Sequence, residues 1–267
     1  IEQMGAVLLA FEGLSILSLL LQKKRIPVAI WIQTVITFTA FVILFMAPGN
    51  DVRVASEIAT WMPGYKELSV GKHLFMTIQW MLSSFANEGK AFFIAIWAAG
   101  FLLLIKSKKA KVYQILAIVF SVAAILPYAG ITFFSEMGIG DIDIEQCLTE
   151  LPTWQSMITQ NRIAFFWWIA AVLFTLVLLW KVTGHSVFIS MVFLGGIASE
   201  AVLYFSPTIY ASGARVYYLT DLMYLFIILW MVMRMDSEKK KNLFIAGAAA
   251  LGVINFLSQY SIMLLKL

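Results

Sequence analysis

Residues 72–90 read KHLFMTIQWMLSSFANEGK, and whether they cross a membrane decides the topology of the whole chain. The stretch is apolar enough to suggest a span, yet it holds His73, Gln79, Asn87 and Glu88. Around it lie apolar runs near 4–22, 28–47, 91–105, 112–134, 163–180, 186–205, 216–233 and 243–265. Most approach the ~20 residues that a helix needs to cross about 30 Å of hydrocarbon. If these eight cross and 72–90 does not, the clusters QKKR (22–25), KSKKAK (106–111) and EKKK (238–241) share one side with Lys181 and Arg234. That side holds twelve of the nineteen Lys and Arg; of the fifteen acids it holds only Asp236 and Glu238. This asymmetry is the positive-inside pattern and makes that side cytoplasmic. A crossing at 72–90 would invert every later loop. The stretch is therefore expected to lie as an amphipathic helix on the outer interface, leading into the span that begins near Ala91. A re-entrant hairpin satisfies the same parity.

Composition points the same way. The 267 residues are 61% hydrophobic, 15% aromatic and 13% charged, with a mean hydropathy of +0.88. A soluble domain carries about 25% charged residues, so disorder and a soluble α/β enzyme are excluded. The fold expected is an all-α polytopic transmembrane bundle of about eight spans plus an outer interfacial helix, one domain over 1–267. The single cysteine, Cys147, supports neither an internal disulfide nor a thiolate metal site. CxxC, HExxH, P-loop and strand-linked GxGxxG patterns are absent, and His73 and His185 lie far apart. The net charge of +4 sits in short loops, where it sets membrane orientation and does not imply nucleic acid. The chain opens IEQMGAVLLAFEG, already at a membrane surface and with no visible signal peptide. It is expected to be the C-terminal portion of a longer protein.

On this topology the outer face carries three connections, 47–90, 135–162 and 206–215, while the cytoplasmic loops are minimal. Three acids fall inside spans: Glu12 near mid-span, and Glu200 and Asp221 each about two turns below an outer exit. Such groups cost about 2.5–3.5 kcal/mol to insert, which makes them functional candidates. Two outer exits look alike. APGNDVR (47–53) and SPTIYASGAR (206–215) each break a helix with proline and then present an arginine, Arg53 or Arg215. Guanidinium groups suit bidentate recognition of phosphate. Asn50 and the amides around Gly49 add neutral donors, and an anionic lipid headgroup is the natural ligand. The plainer alternatives are that the arginines are snorkelling anchors, that Glu200 and Asp221 are their structural partners, and that Glu12 hydrogen-bonds to Ser or Gln on a neighbouring helix. Asp141, Asp143 and Glu145 in DIDIE present divalent-cation chemistry, although a solvated acidic loop explains them equally. Trp61, Trp154, Tyr217 and Tyr218 read as an interfacial aromatic belt.

The run EQMGAVLLAFEG, then KKR, then a span ending LFMAPGNDVR, and later SEAVLYFSPTIYASGAR, resembles a group of polytopic bacterial membrane proteins described as GT-C-type glycosyltransferases. The resemblance covers most of the chain. It implies a membrane-embedded enzyme that takes a sugar from a polyprenyl-phosphate donor, holds the phosphate with arginines, and passes the sugar to an envelope glycan or polymer on the outer face of the cytoplasmic membrane. Glu2, Asn50, Arg53, Glu200 and Arg215 are the positions that carry over, with Asp221 and Glu12 in support. No metal or nucleotide cofactor is implied. The partners implied are the lipid-linked donor, the glycan acceptor and membrane lipids. GT-C enzymes usually place a catalytic acid in the first outer loop of the full protein, and no segment here matches that loop. The base is then expected upstream, or Glu2, Glu200 or an acid of the second outer connection (135–162) serves. Two other classes compete: a transporter or lipid-carrier flippase using the intramembrane acids, and a non-catalytic envelope scaffold.

Overall fold

The computed structural model describes residues 2–129, 153–155, 157–184, 187–211 and 216–265, among which there is no strand. The α-helices are α1 (Glu2–Leu21), α2 (Val28–Phe45), α3 (Pro48–Trp61), α4 (Val70–Asn87), α5 (Lys90–Leu104), α6 (Lys111–Ile125), α7 (Thr159–Val182), α8 (Val187–Ala201), α9 (Tyr218–Met233) and α10 (Glu238–Leu265). Each of the eight apolar runs forms a helix. The connection 47–90 is itself largely helical, built from α3, a 3-10 turn at Tyr65–Glu67, and α4.

Among the described residues, three stretches are long and apolar enough to cross a membrane: Lys108–Tyr128, Thr159–Val182 and Val187–Phe205. Two bent pairs raise the number to five if each is one crossing. They are Val28–Leu44 with Gly49–Trp61, bent by 58°, and Val70–Asn87 with Lys90–Leu104, bent by 69°. The apolar parts of α1 and α9, Gly5–Leu21 and Tyr218–Met233, fall short of the usual spanning length.

The chain divides into two compact units. The first is drawn from residues 1–83, 139–158 and 187–223, the second from 84–138, 159–186 and 224–267. In the first, α1 packs along both α2 and α8. Glycine makes these approaches possible: a Cβ at Gly5 would lie 2.6 Å from Phe41 Cδ2, and one at Gly195 would lie 2.8 Å from Phe11 Cε2. A separate core gathers Met62, Met76, Trp80, Leu203, Ile209 and Val216.

In the second unit, α5 packs along α6, α7 and α10. A Cβ at Gly100 would lie 2.7 Å from Leu178 Cδ2, so α5 and α7 touch nearly backbone to side chain. Phe93, Trp97 and Trp168 are wholly buried, with Phe93 and Trp168 edge to face at 5.4 Å. Trp97 Nε1 donates to Thr175 Oγ1 at 2.8 Å, and that hydroxyl donates to the Ala171 carbonyl at 2.7 Å. A buried indole N–H is thus satisfied without water.

The surface is the reverse of a soluble protein's. Along α2, Ile32, Val35, Ile36 and Phe38 are each more than half exposed, while Ser199, Glu200, Thr175 and Thr220 are buried. Apolar outward faces over a partly polar interior fit a hydrocarbon surround.

Candidate functional site

The stretch APGNDVR behaves differently from a turn that ends a helix. Helix α2 closes at Phe45 with Met46 as its C-cap, and Pro48 then occupies the first turn of α3. Proline suits that place because its fixed φ is helical and its missing N–H is one that a helix start leaves unpaired. The expected exit turn at Pro48-Gly49 is therefore a helix start, and the chain continues helically to Trp61. Asn50 donates its side-chain amide to the Leu44 carbonyl at the end of α2. Arg53 faces Glu57 one turn along α3, Nε to Oε1 at 3.8 Å, with about half of its side chain exposed.

Glu200 lies in the last turn of α8 and is 1% exposed. The 3-10 turn Val202–Phe205 follows directly. Asp221 is half-buried in the first turn of α9, where the positive end of the helix dipole favours a carboxylate. The start of α9 meets α8 through Thr220 Oγ1, which donates to the Gly196 carbonyl at 3.1 Å. Gly196 precedes Glu200 by one turn, so this contact between α8 and α9 lies about a turn before Glu200. Glu200 lies about a turn and a half before the end of the helical stretch Val187–Phe205, and Asp221 lies in the first turn of α9.

Glu12 is 6% exposed in α1. Thr37 of α2 donates to its Oε1 at 2.8 Å, and its Oε2 is buried without a hydrogen-bond partner among the described residues. Glu2 opens α1, and nothing of its side chain is described. Arg215, Asp141, Asp143 and Glu145 lie outside the described residues, and so do the expectations that rest on them. Among the described residues no three His, Cys, Asp or Glu side chains gather as metal ligands.

One cluster was not singled out as a site in the sequence. Tyr65, His73, Tyr204 and Ser206 line a tight cleft of about 10 Å³, room for about one water molecule. Tyr65 Oη donates to the Tyr204 carbonyl at 3.4 Å, and the His73 ring stands edge-on to Tyr65 at 4.7 Å with Nε2 3.3 Å from the Tyr65 carbonyl oxygen. Burial, then the neighbouring Tyr204, pushes the Tyr65 hydroxyl above its ordinary pKa. It stays a neutral donor at physiological pH. Tyr65 and Tyr204 stand 139 positions apart, so no spacing pattern could have joined them.

In the second unit, the lysine loops meet. The Asp236 carboxylate takes Lys106 Nζ at 2.9 Å on one oxygen and Lys240 Nζ at 2.8 Å on the other. These bonds, first Lys240 and then Lys106, pull its pKa down to about 2. Glu238 pairs with Lys241 at 2.7 Å. No family model, curated protein or solved structure matches this chain.

Proposed function

We propose that this chain is the membrane domain of a glycosyltransferase that moves a sugar from a polyprenyl-phosphate donor to a bacterial envelope glycan or polymer, working at the outer face of the cytoplasmic membrane. One observation carries the reading: Glu200 keeps a carboxyl group at 1% exposure in the last turn of an apolar helix, just before the turn bearing Tyr204. An ionisable group is expensive there, and such sites are where chemistry is found. A carboxylate deprotonates an acceptor hydroxyl. The donor brings its own phosphate leaving group, and Arg53 and Arg215 supply the guanidinium chemistry to hold it. The resemblance of APGNDVR and SPTIYASGAR to the GT-C-type group supports the same assignment.

In this proposal all eight apolar helices cross, with local bilayer thinning at the short α1, α5 and α9. Helices α3 and α4 lie along the outer interface, and the 69° bend before α5 turns the chain from the interface into the bilayer. The lysine clusters then face the cytoplasm. The test uses the full-length protein in vesicles of bacterial phospholipid, supplied with polyprenyl-phosphate hexoses labelled in the sugar. Glu200→Gln should cut transfer by about 100-fold or more while the protein keeps its helix content. Undiminished transfer by that variant overturns the assignment.

A second reading, a flippase for the lipid carrier, is favoured by Glu12, whose half-satisfied carboxyl lies between α1 and α2. Glu12→Gln separates the two: loss of carrier flipping with sugar transfer intact would favour the flippase.

A further inference from the structure

In the second unit, α5, α6 and α10 border an apolar groove of about 400 Å³ whose walls include Ala98, Phe101, Leu102, Leu243, Phe244 and Ala248. Among the described residues no charged or hydrogen-bonding side chain lines it. On α5 the lining runs from Ile94 to Leu102, and on α10 from Leu243 to Leu251. Each run covers about 12 Å of helix axis, the scale of one acyl chain lying along a leaflet.

The groove ends at lysines. Lys106 follows Leu102 by about one turn, and Lys240 and Lys241 precede Leu243 within the first turn of α10. Lys106 and Lys240 are pinned to one another through Asp236, which fixes this rim as a unit. Lys108, Lys109, Lys111 and Lys239 are exposed beside it and pair with no carboxylate among the described residues. The two acids of this end, Asp236 and Glu238, are already taken by lysines. An apolar trough opening onto unneutralised ammonium groups matches an amphiphile with a negative head and an alkyl tail.

We propose that this groove and its lysine rim bind an anionic membrane phospholipid, one acyl chain in the trough and the phosphate among the lysines. A second copy of the chain fits less well, because a two-fold contact would set the same lysines against one another. A zwitterionic lipid would fill the trough but gain little from the rim. The proposal stands independently of the catalytic reading.

The experiment is native mass spectrometry of the full-length protein released from detergent, titrated with phosphatidylglycerol or with phosphatidylcholine of the same acyl chains. Phosphatidylglycerol should be retained preferentially, and Lys108→Gln with Lys239→Gln should cut its retention by about 30-fold, the worth of two lysines at an anionic surface. Ala98→Phe, which fills the trough, should reduce retention of both lipids. Equal retention of the two lipids by the unaltered protein overturns the proposal. So does equally tight binding of glycerol phosphate, which would mark a site for a free anion. A dimer that Ala98→Phe dissolves, with no preference between lipids, would instead assign the groove to a second copy.

Discussion

Asn50 hands its side-chain amide to the carbonyl oxygen of Leu44 across the break between α2 and α3. That carbonyl belongs to the last turn of α2, where four acceptors have no helical donor. The side chain thus closes one helix while its backbone opens the next. Asn50→Ala should lower thermal stability in detergent by about 1 kcal/mol. Arg53→Ala should leave stability nearly unchanged, since a half-exposed pair with Glu57 contributes at most about 1 kcal/mol before solvent screening. If transfer is lost in the second variant and stability in the first, capping and phosphate binding are separate duties of one stretch. Equal destabilisation by both would remove Arg53 from the proposed site.

Trp97 and Thr175 test the core of the second unit. Thr175→Val keeps the volume but strands the buried indole N–H, with an expected cost of about 1–2 kcal/mol. In the background of Trp97→Phe the same change should cost much less. A double-mutant cycle by denaturant unfolding measures the difference, and a coupling near zero would show that the bond contributes nothing net.

Gly100 predicts a steric effect of opposite cause. Gly100→Val drives side-chain atoms into Leu178 and should destabilise by about 1–3 kcal/mol. Shortening the neighbour with Leu178→Ala should recover part of that loss in the double variant. Failure to recover would mean that the helix backbones, and not this contact, resist the change.

The pH dependence of the lysine rim follows from Asp236. Its pKa is about 2 in the folded protein, below the ordinary 3.8. The stabilising contribution is therefore complete above about pH 4 and disappears as the pH falls through 2. Asp236→Asn should be less stable than the unaltered protein at pH 6, with the two converging near pH 2. Because the carboxylate is about half exposed, added salt should shrink the gap at pH 6. A gap that persists at pH 2 would point to packing and not charge.

Sidedness can be read with the native thiol. Cys147 is the only cysteine of these 267 residues, so an impermeant maleimide should label this chain in intact cells. A Cys147→Ser protein carrying Lys108→Cys should label only after the membrane is opened. The reverse pattern would end the outward-facing assignment of 135–162.

What the sequence determined by itself was the eight apolar helices; α3, which begins where an exit turn was expected, was not among them. Apolar runs long enough to approach a bilayer crossing force the backbone to satisfy its own hydrogen bonds, and each such run is a helix here. The break between α4 and α5 was legible too, because ANEGK places polar residues and a glycine between two helical patterns. Tertiary structure alone decided what the polar side chains do. Asn50, whose residue type suggests a ligand donor, has a carbonyl to cap. Glu12 waits on a hydroxyl from another helix, and Asp236 gathers lysines from two loops. Tyr65, His73 and Tyr204 form one cluster only once distant segments fold together. Helix formation depends on neighbours within about four positions, which a single sequence displays. Side-chain partners lie across helix contacts, and one sequence carries no periodicity that pairs position 65 with 204.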